Sequence, residues 1–86
     1  MFVGPADLSC TLGVPGQVLH EKCTDALKNV AQACRDAGKP WGILSRTREH
    51  AEFCRDLGCQ LLSVASDVDL IRRRLIATED EFVELF

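Results

Sequence analysis

Apolar residues recur along this chain in two rhythms. Short apolar runs stand at Phe2-Val3, at Trp41-Gly42-Ile43-Leu44 and within Cys59-Gln60-Leu61-Leu62-Ser63-Val64. Breakers or polar residues bound each of them, the mark of a short buried strand. Between the runs, apolar positions return every three or four residues, the period of a helix with one buried face. The longest such stretch holds Leu19, Cys23, Ala26, Leu27, Val30, Ala31, Cys34 and Ala37. It predicts a helix over about residues 20–37, with Glu21 at the positive end of the dipole and Gly38 as the stop. A second helix, 47–57, follows from Ala51, Phe53, Cys54 and Leu57, with Ser45 or Thr47 as cap and Gly58 as the end. A third begins after Ser66, which forms a capping-box pattern with Asp69 and precedes Val68, Leu70, Ile71, Leu75 and Ile76. Thr78-Glu79-Asp80-Glu81 then reads as a fresh cap with an acidic first turn. Residues 78–86 are therefore set apart as a tail or short helix, whose Phe82, Val83, Leu85 and Phe86 can dock on a partner.

The order is strand, loop, helix, strand, helix, strand, helix. Such alternation predicts an α/β fold with a parallel sheet and right-handed crossovers. Three strands are too few to cover themselves, and the first, about three residues long, is an exposed edge. At the exit of that strand stands Gly4-Pro5-Ala6-Asp7-Leu8-Ser9, read as a tight turn. Residues 10–17 form a Gly- and Pro-containing loop long enough to lie over a pocket. Asp7 falls just beyond the strand's carboxyl end, where open α/β structures keep their chemistry. From residue type alone it reads first as an Asx-turn or a cap on the following segment. By the two-residue period of a strand, Leu44 and Gly42 share one face, while Trp41 and Ile43 face the helices. Trp41 reads as a core or interface residue, with substrate stacking as the alternative. His20 reads as a helix-terminal residue and His50 as an inert residue on an exposed helix face.

Composition narrows the classes. The 86 residues carry 10 Lys+Arg and 13 Asp+Glu, a formal charge of −3, which argues against nucleic acid as a partner. Arg72-Arg73-Arg74 lies inside an apolar helical pattern and reads as a solvated face. The five cysteines, at positions 10, 23, 34, 54 and 59, contain no CxxC, and their spacings suit no structural zinc template. Cys23 and Cys34 belong to a buried helical stripe. With no signal-peptide pattern and no apolar run near the roughly 20 residues of a membrane span, the expectation is a reducing, cytoplasmic setting without membrane contact.

Four segments together resemble a known family: Phe2-Val3-Gly4-Pro5-Ala6-Asp7-Leu8-Ser9, Leu12-Gly13-Val14-Pro15-Gly16-Gln17, Ala37-Gly38-Lys39-Pro40-Trp41-Gly42-Ile43-Leu44, and Leu62-Ser63-Val64-Ala65-Ser66-Asp67. They are similar to the C-terminal part of the HpcH/HpaI aldolase/citrate lyase family, metal-dependent class II pyruvate aldolases. The resemblance spans about residues 2–77. It implies the last three β/α units of a (β/α)8 TIM barrel of the phosphoenolpyruvate/pyruvate-binding type, an incomplete barrel, since a full one takes about 250 residues. Residues 1–77 are then a partial aldolase domain. The implied activity is a lyase reaction, cleavage of 4-hydroxy-2-oxo acids to pyruvate and an aldehyde through a metal-stabilised enolate. The implied cofactor is a divalent cation, Mg²⁺, Mn²⁺ or Co²⁺, acting as a Lewis acid.

By the resemblance Asp7 is one of two carboxylate ligands of that cation. Ala6 sets a backbone N–H against the substrate carboxylate, and Leu44 lies beside the bound oxo acid. The family's second metal carboxylate, its substrate-binding arginine and its proton-handling histidine belong to earlier strands, so no catalytic residue is assigned here. The family's proline after the histidine that opens the long helix is replaced by Glu21. The chain alone is expected to be inactive. Its partners are the oxo-acid and aldehyde substrates, the missing N-terminal barrel part or further copies in a homo-oligomer. Two alternatives stand beside this reading: a non-catalytic interaction or oligomerisation fragment, and an acyl-CoA lyase of the citrate-lyase β type.

Overall fold

The computed structural model describes residues 1–85, and Phe86, part of the apolar tail expected above, lies outside the described residues. Eight elements follow one another: β1 (Phe2–Val3), α1 (Pro5–Thr11), α2 (Glu21–Ala37), β2 (Gly42–Leu44), α3 (Arg48–Asp56), β3 (Leu61–Ser63), α4 (Asp67–Phe82) and a 3-10 turn (Val83–Leu85). The three strands form one parallel sheet in the order β1-β2-β3. Phe2 lies opposite Gly42 and Val3 opposite Ile43, while Gly42, Ile43 and Leu44 lie opposite Leu61, Leu62 and Ser63. The α/β alternation and the parallel pairing are those expected from the apolar pattern.

One face of the sheet is covered. Val3, Trp41 and Ile43 pack with Leu27, Ala31 and Cys34 of α2 and with Cys54 of α3. Helix α2 exists for that contact: Cys23, Leu27, Ala31 and Cys34 recur on one side and all are buried. His20 caps it, its Nδ1 accepting from the Lys22 N–H at 3.1 Å. Gly38 ends it at φ 66°, a left-handed conformation that glycine enters without cost. The other sheet face is open, with Phe2 56% and Leu61 62% exposed. Gly42 lies between them. A Cβ there would come within 2.9 Å of Leu61 Cβ and of its carbonyl oxygen, so only glycine lets the strands close up at this point.

The structure corrects three expectations. The Gly-Pro stretch is no isolated turn followed by loop: Pro5–Thr11 is helical, with Pro5 in the first turn, where its missing N–H costs nothing. His50 is not on an exposed face but is 1% exposed. The third helix does not restart at Thr78 but runs unbroken to Phe82. Helix α4 also has no buried residue. It carries the molecule out to 58 × 26 × 18 Å.

Candidate functional site

The site forms where β1 and β2 end. After Val3 the chain turns at Gly4 and enters α1, whose first intrahelical bond runs from the Leu8 N–H to the Gly4 carbonyl at 2.9 Å. That places Ala6 and Asp7 on the first turn of α1, both exposed. The Asp7 carboxylate folds back over Gly4, where a Cβ would sit 3.2 Å from Asp7 Oδ2. Gly4 thus leaves the space that the carboxylate occupies. Among the described residues Asp7 forms no ion pair.

Ser9 fixes this turn from beneath. It is fully buried, its hydroxyl donates to the Ala6 carbonyl at 2.7 Å, and its Oγ accepts from the Gly16 N–H at 3.0 Å. The Val14 N–H donates to the Ser9 carbonyl at 2.9 Å. One serine therefore ties the first turn of α1 to the loop beyond it.

On the β2 side, Leu44 ends the strand half-buried, and Ser45-Arg46-Thr47 leads into α3. Thr47 caps α3 by accepting from the His50 N–H at 3.3 Å. Below this turn lies a closed polar cluster. Ser45 Oγ and His50 Nδ1 are 2.8 Å apart, and Cys54 Sγ lies 3.9 Å from His50 Nε2. Burial holds the His50 imidazole below its ordinary pKa. Burial also pushes the Cys54 thiol up, against the opposing hydrogen bond from Ser45, with Cys59 adding to the rise. Both groups stay neutral near pH 7, fastening β2 to α3. The sequence held a signal for this: His50, Cys54 and Leu57 fall at i, i+4 and i+7 on one stripe.

Asp7, Ala6 and Leu44, the three residues singled out in the sequence, line one groove of about 420 Å³ together with Arg46, Thr47 and His50. A neighbouring groove of about 480 Å³ opens between α3 and the start of α4. Three of the arginines on its walls are paired: Arg48 with Glu52 at 2.8 Å, Arg55 with Asp56 at 3.2 Å and Arg73 with Asp69 at 3.1 Å. Arg46 lines both grooves and, among the described residues, makes no ion pair.

An exposed, unpaired carboxylate is a suitable hard donor for a divalent cation. It is one donor only. Among the described residues no group of three or more His, Cys, Asp or Glu side chains is placed to hold a metal ion. The residues present fit a share of a metal site and do not make a whole one. No helix of the described residues is long and apolar enough to cross a membrane.

No family model matches the chain. Curated relatives do. It is 36% identical over 77 residues to the hydroxypyruvate/pyruvate aldolase of Delftia acidovorans, covering 90% of this chain and 29% of that protein. It is 37% identical over 75 residues to the hydroxypyruvate/pyruvate aldolase of Pseudomonas aeruginosa, covering 87% and 28%. It is 36% identical over 73 residues to the 4-hydroxy-2-oxo-heptane-1,7-dioate aldolase of Klebsiella pneumoniae, covering 85% and 28%. Among solved structures, the fold matches an HpcH/HpaI aldolase/citrate lyase family protein from Burkholderia cenocepacia with a TM-score of 0.82 and 34% identity, over 93% of this chain and 31% of that one. The chain thus spans less than a third of the length of these relatives.

Proposed function

From the premise that the chain resembles, in sequence and in fold, a part of the HpcH/HpaI aldolase/citrate lyase family, we propose that it supplies one wall of a metal-dependent aldolase centre. It corresponds to β/α units of a (β/α)8 barrel whose other strands lie outside these 86 residues. The reaction is cleavage of a 4-hydroxy-2-oxo acid to pyruvate and an aldehyde. The observation that carries the reading is the meeting of Asp7, Ala6 and Leu44 in one groove beyond the carboxyl ends of β1 and β2. Ala6 and Asp7 are neighbours in the chain, but nothing local brings Leu44 to them.

Asp7 would hold the cation, Mg²⁺, Mn²⁺ or Co²⁺, and a bound cation would supply Lewis-acid polarisation of the oxo acid. The work of this chain's own residues is to bind and orient. Gly4 leaves room for the Asp7 carboxylate, and Ser9 holds the turn that presents it. Ala6, with an unbranched methyl, leaves its N–H accessible to a substrate carboxylate. Leu44 closes the groove with apolar surface that excludes water from the oxo acid. One protein carboxylate plus water holds such cations weakly, so the chain alone is inactive.

The test is a chimera in which this chain replaces the matching segment of the Pseudomonas aeruginosa relative, with pyruvate release as readout. Activity is expected, and Asp7→Asn is expected to abolish it while leaving the circular dichroism spectrum unchanged. A chimera that stays equally active after Asp7→Asn would overturn the assignment of Asp7. Saturable Mn²⁺ and pyruvate binding by the free chain at micromolar concentration, seen by calorimetry, would overturn its inactivity. The open sheet face and the bare helix α4 favour a second reading, that the chain also serves as an interaction module.

A further inference from the structure

The groove beyond β1 and β2 has two charged side chains in its lining, and the aldolase reading uses only one of them. Asp7 comes from α1 and Arg46 from the turn after β2. Around them stand apolar Phe2, Val18 and Leu44, with Thr47 and the buried, neutral His50. Local geometry explains why Arg46 reaches this groove. The extended backbone of β2 continues past Leu44, because the Ser45 N–H donates to the Ser63 carbonyl at 2.7 Å. Successive side chains of an extended chain leave on opposite sides. Ile43 and Ser45 take the buried side, against the helices. Leu44 and Arg46 take the other side and line the groove.

The backbone of this turn is tied down. Thr47 caps α3, and the Arg46 carbonyl accepts from Arg73 Nη2 at 3.3 Å. The Arg46 side chain is not engaged in the same way. It is exposed and, among the described residues, makes no ion pair, whereas Arg48, Arg55 and Arg73 each already face a carboxylate. A guanidinium presented on a fixed turn without a partner in its own chain suits a carboxylate or a phosphate, which it can meet with two parallel N–H donors. The oxo-acid end of the substrate has its own partners, the Ala6 N–H and the cation on Asp7. The aldehyde part has none. A groove of about 420 Å³ is of the size that encloses a whole small molecule. We infer that Arg46 is the specificity-determining residue of this groove, selecting substrates whose aldehyde part ends in an anionic group. The inference rests on the aldolase reading and carries it to the far end of the substrate.

The chimera with the Pseudomonas aeruginosa relative tests this in the direction of synthesis, joining pyruvate to an aldehyde. Three aldehydes are compared: glutaric semialdehyde, which ends in a carboxylate, glycolaldehyde phosphate, and pentanal, the neutral match of the first. At least one anionic aldehyde is expected to exceed pentanal in kcat/KM by about 10-fold, the worth of one hydrogen-bonded charge. Which of the two gains separates carboxylate from phosphate. Arg46→Gln is expected to collapse that ratio through the KM of the anionic aldehyde, and Arg46→Lys to restore part of it. The ratio is the readout because damage to the fold or to the metal site lowers all three aldehydes together. An active chimera that uses all three equally would overturn the inference and leave the aldolase reading standing. So would a ratio that Arg46→Gln leaves unchanged, including an equal loss on all three, which would place Arg46 at the oxo-acid end. A chimera inactive on every aldehyde would overturn the aldolase reading, and this inference with it.

Discussion

Helices α2 and α4 are nearly equal in length, 17 and 16 residues, and both begin at a side-chain cap. Both carry an apolar stripe at helical spacing. Yet α2 buries Cys23, Leu27, Ala31 and Cys34 against the sheet, and α4 buries nothing. An apolar stripe states that a face needs covering. It does not state that the same chain supplies the cover. The sheet repeats the lesson: one face packs on α2 and α3, while Phe2 and Leu61 leave the other open. Parallel sheets are normally covered on both faces, and here Phe2 and Leu61 leave one face without a cover among the described residues.

The widest gap between the two helices is energetic. Leu27 is 1% exposed and central to the core. Leu27→Ala is expected to cost about 2–5 kcal/mol, through lost transfer energy and the cavity left behind. A domain of this size has about 5–15 kcal/mol in total, so the variant loses a large share of it. Leu75→Ala, measured where the chain is monomeric, is expected to cost no more than about 0.5 kcal/mol. Urea unfolding at low protein concentration checks both. Equal losses would show that α4 packs on the body in solution and would erase the contrast.

A second way to sharpen it uses pH. His50 titrates at a lower pH in the fold than its ordinary value of 6.5, because burial disfavours the imidazolium. Between those two values the unfolded chain binds a proton that the folded chain does not. Stability is therefore fully present above about pH 6.5 and falls as the pH drops below it, until the folded imidazole takes up its own proton. The slope in that window approaches about 1.4 kcal/mol per pH unit. His50→Phe is expected to flatten it, although the lost bond to Ser45 lowers stability at every pH. The covered half of the molecule carries this dependence and α4 does not. A pH profile of unfolding unchanged by His50→Phe would remove the buried cluster from the account.

Much of this organisation is legible in the chain. The stripe from Cys23 to Cys34, the stop at Gly38, the caps at Thr47 and Ser66, and the opposite facing of Ile43 and Leu44 are local patterns, and local patterns survive folding. The misses share a physical cause. Pro5 reads as a turn residue because proline suits a turn and a first helical turn equally, and only Ser9, bonded to both Ala6 and Gly16, decides between them. His50 reads as solvated because histidine is polar. Its hydroxyl partner, Ser45, lies outside its own helix, and sequence spacing does not reveal the bond. Thr78 reads as a cap because acidic residues follow it, while the exposed apolar stripe through Leu75 and Phe82 runs across it. The meeting of Asp7 with Leu44 is a fact of strand order. Only the resemblance points to it in advance.

The smallest effect distinguishes the helices at their first residues. Ser66 caps α4 by accepting from the Asp69 N–H at 3.2 Å. In a packed helix such a cap contributes about 0.5–2 kcal/mol to the stability of the whole domain. Helix α4 has no packing to share that loss with the core. Ser66→Ala in the monomer is therefore expected to speed amide exchange along α4 while leaving the protection of α2 and the unfolding midpoint unchanged. If the protection of α2 fell in step, the two helices would open as one cooperative unit, and α4 would be part of the core after all.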